Sequence, residues 1–576
     1  MNNRGVESIR PHQKVLGMRA TLRYIASFVA LSLIATAELK AQESNRVQRE
    51  FELGQATEVL TNIMREFNFG FVDAVPATTL LNSAVRGITT VTDPYSEYLS
   101  EEAMSAFEIM TTGRYGGVGS LIRKREDYII FAQPYKDSPA DKAGIKIGDK
   151  ILAINGENMR GMGVEDISSR LKGEPESDVE VVVERNIGGA IDTIKITRQR
   201  ILIPSVNYAG IVRDGVGYIS HNDFIDGSYD EMRRAVEGLL ATDSLKGIIL
   251  DYRSNGGGVM QEAIDIASLF LPRDSRVVSL MGRDSSSLRE FKTRYAPIAE
   301  DIPLVVLVSG SSASASEILA GALQDMDRAV VMGDRTYGKG LVQETRYVGY
   351  NNYLKYTTAK YYIPSGRCIQ SRNYASMRSD GSATTVPDSL ISEFRTRGGR
   401  KVYDGGGILP DVEIAPEYVS RFAVTLYAMG LIDDWADRYM QRHHNDIIDV
   451  RTFSITDADY ADFCAFIEEK DVPYESDTRK AIKALEKALE KDLYTESLGG
   501  VVESLKAELK DDKMSNMQTY RDEIVDALNS DIVLRYAYQE GLQERMAATD
   551  KEVEQAIELI LDKERYNTIL QPQSEE

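Results

Sequence analysis

Three continuous apolar runs constrain the fold of this chain most. Gly247-Ile248-Ile249-Leu250-Asp251 leads into Asn255-Gly256-Gly257-Gly258, Pro303–Val308 leads into a Ser/Gly turn, and Arg328–Gly333 into another glycine turn. Runs of this length without polar alternation fit strands covered on both faces. They alternate with helical stretches over residues 201–415, the pattern of an α/β domain. At 576 residues the chain exceeds one ordinary core, so two to four domains are expected. With 68 basic against 89 acidic residues and a net charge of −21, it lacks the overall basic character of a general nucleic-acid binder, and no nucleic-acid partner is expected.

Arg19 and Arg23 precede an apolar run from Tyr24 to Ala37, and Ala41 offers a small residue for cleavage before Gln42. Residues 1–41 therefore read as an export signal, with Met18 as an alternative start. The run falls short of the ~20 apolar residues of a membrane span. A periplasmic or extracellular location is expected, with membrane anchoring if the signal stays uncleaved. Cys368 and Cys464 stand far apart in sequence and read as unpaired thiols. No zinc-type cluster, metal or organic cofactor is expected.

Residues 45–110 read as helical, with apolar residues recurring at Val59-Leu60, Ile63-Met64 and Phe67. Over 111–190 the pattern changes to short strands and glycine turns. Gly116-Gly117-Val118-Gly119 precedes an alternating stretch, and Ser138–Gly144 and Gly148–Gly156 follow. This segment resembles a PDZ domain, which adds an extended peptide to an open sheet edge. Gly117, Val118 and Gly119 are the candidates for binding a terminal carboxylate through close-approaching backbone amides. Residues 416–576 read as helical and acidic, as in KAIKALEKALEK at Lys480–Lys491. Packing or homodimer formation is expected of the helical ends.

Histidine is scarce: His12, His221, His443 and His444 are the four, and only His221 falls near the α/β segment. Its place, in a strand running into a loop, is that of a structural or surface residue, so a Ser–His–Asp triad has a poor base and attention moves to lysine. Ser312-Ala313-Ser314-Ala315-Ser316-Glu317 follows a buried strand and opens a helix, where backbone amides and the positive dipole end stabilise an oxyanion. Ser314 with Glu317 also fits a plain capping box. Downstream, Gly333–Gly340 nearly matches a phosphate-binding loop, but Gly340 replaces the hydroxyl residue that holds magnesium. Lys339, set between glycines at a strand end, is placed for burial, which lowers an amine from about 10.4 towards neutrality, as a general base requires.

Together, Ser-Ala-Ser-Ala-Ser-Glu and the later Gly-Lys-Gly resemble the C-terminal processing peptidases, or tail-specific proteases. Asp93-Pro94-Tyr95-Ser96, Asp251–Gly258, Tyr361–Arg367 and Gly407–Asp411 are similar to further elements of that family, in the same order. The resemblance implies a crotonase/ClpP-like α/β protease core at 201–415, with an inserted PDZ-like β domain and helical N- and C-terminal regions. It implies Ser314 as nucleophile, Lys339 as general base, Gln343 as the residue orienting that base, and oxyanion-hole amides at Ala315 and Gly257 or its neighbours. Lys339 and Gln343 would lie ~13 Å apart in an extended strand, so a turn is expected between them. Protein and peptide substrates with exposed C-termini are implied. Two features depart from the family pattern: Ser220 stands where a basic residue is frequent, and Ser371–Asp404 is extra and expected to form a surface loop. A catalytically silent PDZ-containing scaffold and a crotonase-like acyl transferase are the alternative readings. The intact Ser314, Lys339 and Gln343 count against the first, and the PDZ segment against the second.

Overall fold

The computed structural model describes residues 47–377, 383–415, 419–509 and 512–572. The expected signal segment lies outside them. The chain divides into two compact units at Pro94/Tyr95. The first holds a helix over 47–70 and another at Ala77–Thr89. Phe51, Ile63 and Phe67 on the earlier helix are exposed. Among the described residues no helix is long and apolar enough to cross a membrane.

In the second unit the expected buried strands form one six-stranded sheet: β1 (Val206–Arg213), β2 (Val216–His221), β3 (Gly247–Asp251), β4 (Leu304–Val308), β5 (Val330–Gly333) and β6 (Val412–Glu413). They lie side by side in chain order. β1 is antiparallel to β2, and every later pair is parallel, as with Ile248 opposite Leu304. Alternation sends Ile248, Leu250 and Val306 to one face, against α1 (Ser228–Leu240), α2 (Met260–Ala267) and α3 (Ala315–Asp325). Ile249, Val305, Leu307 and Met332 go to the other face. That face is covered by Val553, Ile557, Ile560 and Tyr566, from helices Lys551–Leu561 and Lys563–Ile569. These last helices of the C-terminal helical region therefore also complete the core. The cause is general: a parallel sheet apolar on both faces needs a layer on each. Each fully buried aliphatic side chain contributes about 1.5–3 kcal/mol.

The PDZ segment folds into a sheet with strands Ser120–Arg125, Tyr128–Pro134, Lys150–Ile154, Asp178–Glu184 and Ile191–Thr197 in that order, over Ile129, Phe131, Val181 and Val183. Ser120–Arg125 is its edge. Arg125 on that edge pairs with Asp437 at 2.7 Å and Asp434 at 2.9 Å, on the helix Leu431–His443 of the C-terminal helical region. Buried Arg535 holds Asp433, Asp437 and Asp531 from behind at 2.6–2.9 Å. The extra stretch after Ser371 forms short hairpins, Arg372–Met377 with Ala383–Thr385 and Glu393–Arg395 with Lys401–Tyr403.

Candidate active site

β4 ends in a turn that opens α3, and Ser312, Ser314 and Ser316, at the end of that turn and the start of the helix, do different work. Ser312 is buried and donates to the Tyr252 carbonyl at 2.8 Å; Ser316 is buried and bonds to Asn255 Oδ1 and O at 2.9 Å. Ser314 is only partly buried and sits at φ 56°, ψ −113°. A serine there stores roughly 1–3 kcal/mol of strain, held by the packing of a helix buried along its whole length. The amide of Ala315 lies at the positive end of that helix.

The glycine loop after β3 closes on this turn through Asn255. Its Nδ2 donates to the His221 carbonyl at 2.9 Å and faces His221 Nδ1 at 3.2 Å, while its Oδ1 accepts from Gly257 N–H at 2.8 Å. A Cβ on Gly257 (φ 105°) would fall 2.8 Å from Ser314 Cβ and 3.0 Å from Ala315 N, so only glycine fits. The Gly257 amide, expected to face an oxyanion, is committed to Asn255 instead. His221 is fully buried between Phe224 and Tyr252, and burial holds its imidazole down at about 3. It is a structural residue, neutral throughout the physiological range.

Lys339 arrives on the loop after β5, and its backbone is tied to Ser314 twice. Glu317 Oε2 accepts from both Ser314 N–H and Lys339 N–H, each at 2.9 Å. The two nitrogens are thus at most about 5.8 Å apart, twice that bond length. Glu317 Oε1 takes Thr336 Oγ1–H at 2.6 Å and Gly338 N–H at 2.7 Å. On the other side the Tyr361 hydroxyl bridges the carbonyl oxygens of Ser314, at 3.2 Å, and Lys339. Lys339 Nζ lies over the Tyr95 ring, 4.5 Å from its centroid. Gly340 N–H donates to Gln370 at 2.7 Å. The loop amides of Gly338, Lys339 and Gly340 all have protein acceptors and form no phosphate cradle. Burial raises the Glu317 carboxyl to about 7, against the pull of its four donors.

Gln343 lies in strand Leu341–Gly349, at a bulge between Val342 and Gln343, and donates to Thr357 Oγ1 at 3.0 Å. Just ahead of the PDZ sheet, Gly117 ends strand Arg114–Gly117, which pairs with Gln199–Leu202 in a two-stranded sheet of its own. The Val118 and Gly119 carbonyls accept from Ala140 and Tyr135, and Gly119 has φ 77°. These three residues run directly into the edge strand. Sequence reasoning took Glu317 for a helix cap, which it partly is. Its three further donors come from the later loop at Thr336–Lys339, and Asn255 and Tyr361 lie in the similar elements Asp251–Gly258 and Tyr361–Arg367, whose local residues do not show that they reach Ser314.

Fold and site together define a class: an α/β protein with a PDZ module and a serine strained at a strand-to-helix turn, tied to a lysine loop. Residues 215–380 match the model of peptidase family S41, 130–185 a PDZ domain, and 422–560 the C-terminal helical domain of a probable PDZ-protease. A carboxy-terminal-processing protease of Bartonella bacilliformis is 34% identical over 295 residues, 50% of this chain and 67% of that protein. A probable CtpA-like serine protease of Staphylococcus aureus is 34% identical over 316 residues, 54% and 62% of the two chains. Of solved structures, a photosystem II D1 C-terminal processing protease is 27% identical over 62% of this chain and 87% of that one, with a TM-score of 0.33. The chain belongs to peptidase family S41, with the carboxy-terminal-processing proteases.

Proposed function

We propose that this chain is an exported serine endopeptidase working by a Ser–Lys mechanism on proteins with exposed, poorly folded C-termini. Neutral Lys339 takes the Ser314 hydroxyl proton, and Oγ attacks the scissile carbonyl carbon. The oxyanion is met by the Ala315 amide and, because the Gly257 amide is engaged with Asn255, by that of Gly258. The lysine ammonium then returns its proton to the leaving amine, and water hydrolyses the acyl-enzyme with Lys339 again as base. Gln343 orients the lysine. Gly117, Val118 and Gly119 take the substrate's terminal carboxylate while the tail pairs with the Ser120–Arg125 edge. The exposed apolar residues of helix 47–70 favour pairing with a second copy of the chain.

One observation carries the reading: a single carboxylate and a single phenol bind the backbones of Ser314 and Lys339 side by side next to a glycine loop. Purified protein, Ser314→Ala and Lys339→Ala are incubated with an unstructured protein substrate. Cleavage by the parent and by neither variant is expected; equal cleavage by all three ends the proposal.

A further inference from the structure

Tyr95 stands over the lysine, and its own setting explains why. It follows Pro94 and precedes Ser96, whose Oγ accepts from Thr357 N–H at 3.3 Å, and Glu97–Leu99 pairs with the strand that carries Thr357. The ring is therefore pinned to the sheet beside the site. At its far end the Tyr95 hydroxyl meets two other phenols. Tyr374 donates to it at 3.1 Å with the rings edge-on at 5.8 Å, and Tyr337, two residues before the lysine, lies 3.4 Å away. Tyr374 comes from the extra stretch, and Ser371 of that stretch bonds to the Tyr337 and Gly338 carbonyls. The insertion is a brace for the lysine loop.

We infer that Tyr95 is a positioning residue for Lys339, its ring face holding the amine and stabilising the ammonium formed when Ser314 gives up its proton. This rests on Lys339 being the base. An aromatic face attracts a cation through its quadrupole, and more strongly where water is excluded. The charge appears at Nζ at the moment Oγ is deprotonated, so the contact is worth most along the reaction path. The same contact favours the protonated amine at rest. The other ionisable groups around the loop include Asp334 and Arg335 of the loop itself, Glu317 from α3, Tyr361 from the strand Asn352–Tyr362, and Tyr337 and Tyr374.

The test reads Lys339 itself. The full-length chain, Tyr95→Leu and Tyr95→Phe are labelled with an amine-acylating reagent across pH, and the Lys339 peptide is quantified by mass spectrometry. The midpoint of labelling reports the neutral fraction of that amine independently of turnover. Tyr95→Leu is expected to move the midpoint down by roughly 0.5–1.5 pH units, the span of a cation–π contact. It is also expected to lower kcat/KM at its pH plateau about ten-fold or more. Tyr95→Phe keeps the ring and is expected to keep the midpoint. An unchanged or raised midpoint in Tyr95→Leu overturns the inference. Lys339→Ala with full activity overturns the base assignment instead, so the two failures are distinguishable.

Discussion

Glutamine at position 317 keeps the shape of the side chain and turns one of its two acceptor oxygens into a donor. Oε1 serves Thr336 and Gly338, and Oε2 serves Ser314 and Lys339, so the new amide faces two donors whichever way it settles. Two lost bonds to a charged acceptor cost roughly 3–6 kcal/mol. Against this, the carboxylate is itself expensive to bury. Its rise from 4.5 to about 7 corresponds to about 3 kcal/mol once it is ionised. The terms largely offset, leaving Glu317→Gln destabilised by about 0–3 kcal/mol at neutral pH. Activity suffers more, because the Ser314 and Lys339 backbones lose their common tie; kcat/KM is expected to fall about a hundred-fold.

The pH dependence has a definite sign. The folded-state value lies above the unfolded one, so the stability linked to the Glu317 proton is full below about 4.5 and is lost as pH rises through about 7. Glutamine has no such titration. Urea unfolding of both proteins at about pH 5 and about pH 8 is therefore expected to show the parent's advantage shrinking by about 2–3 kcal/mol. An advantage that grows with pH would mean that the four donors outweigh burial, and the reasoning would be wrong.

Gly257→Ala would place a methyl group 2.7 Å from the Ala313 carbonyl and 2.8 Å from Ser314 Cβ at φ 105°. A loss of activity of about a hundred-fold or more is expected from kinetic assays, together with a lowered melting temperature, because the methyl group meets backbone atoms at a φ that side-chain-bearing residues rarely adopt. Arg535→Leu removes the cation, 4% exposed, that holds Asp433, Asp437 and Asp531. Arg125 stays on Asp433 and Asp437, so the loss falls mainly on Asp531; breaking this largely buried cluster costs about 3–5 kcal/mol in urea unfolding, and faster proteolysis between the PDZ and helical segments should accompany it. A loss under about 1 kcal/mol would show those carboxylates to be effectively solvated.

The local features of this chain were legible in its residues. Unbroken apolar runs at Gly247–Asp251 and Pro303–Val308 announced strands buried on both faces. The glycine-rich start of the PDZ segment and the Ser and Lys motifs pointed to the sites proposed above. These signals are short-range, set by side-chain periodicity and by turns that require glycine. The strained backbone of Ser314, where the Gly257 amide points, that His221 is sealed in the core, and that the final helices complete the sheet were settled only in three dimensions. Each depends on partners up to a few hundred positions away, such as Tyr566 donating to the Leu304 carbonyl at 3.0 Å. A buried polar group takes whatever partner packing brings to it, and packing is a property of the whole chain.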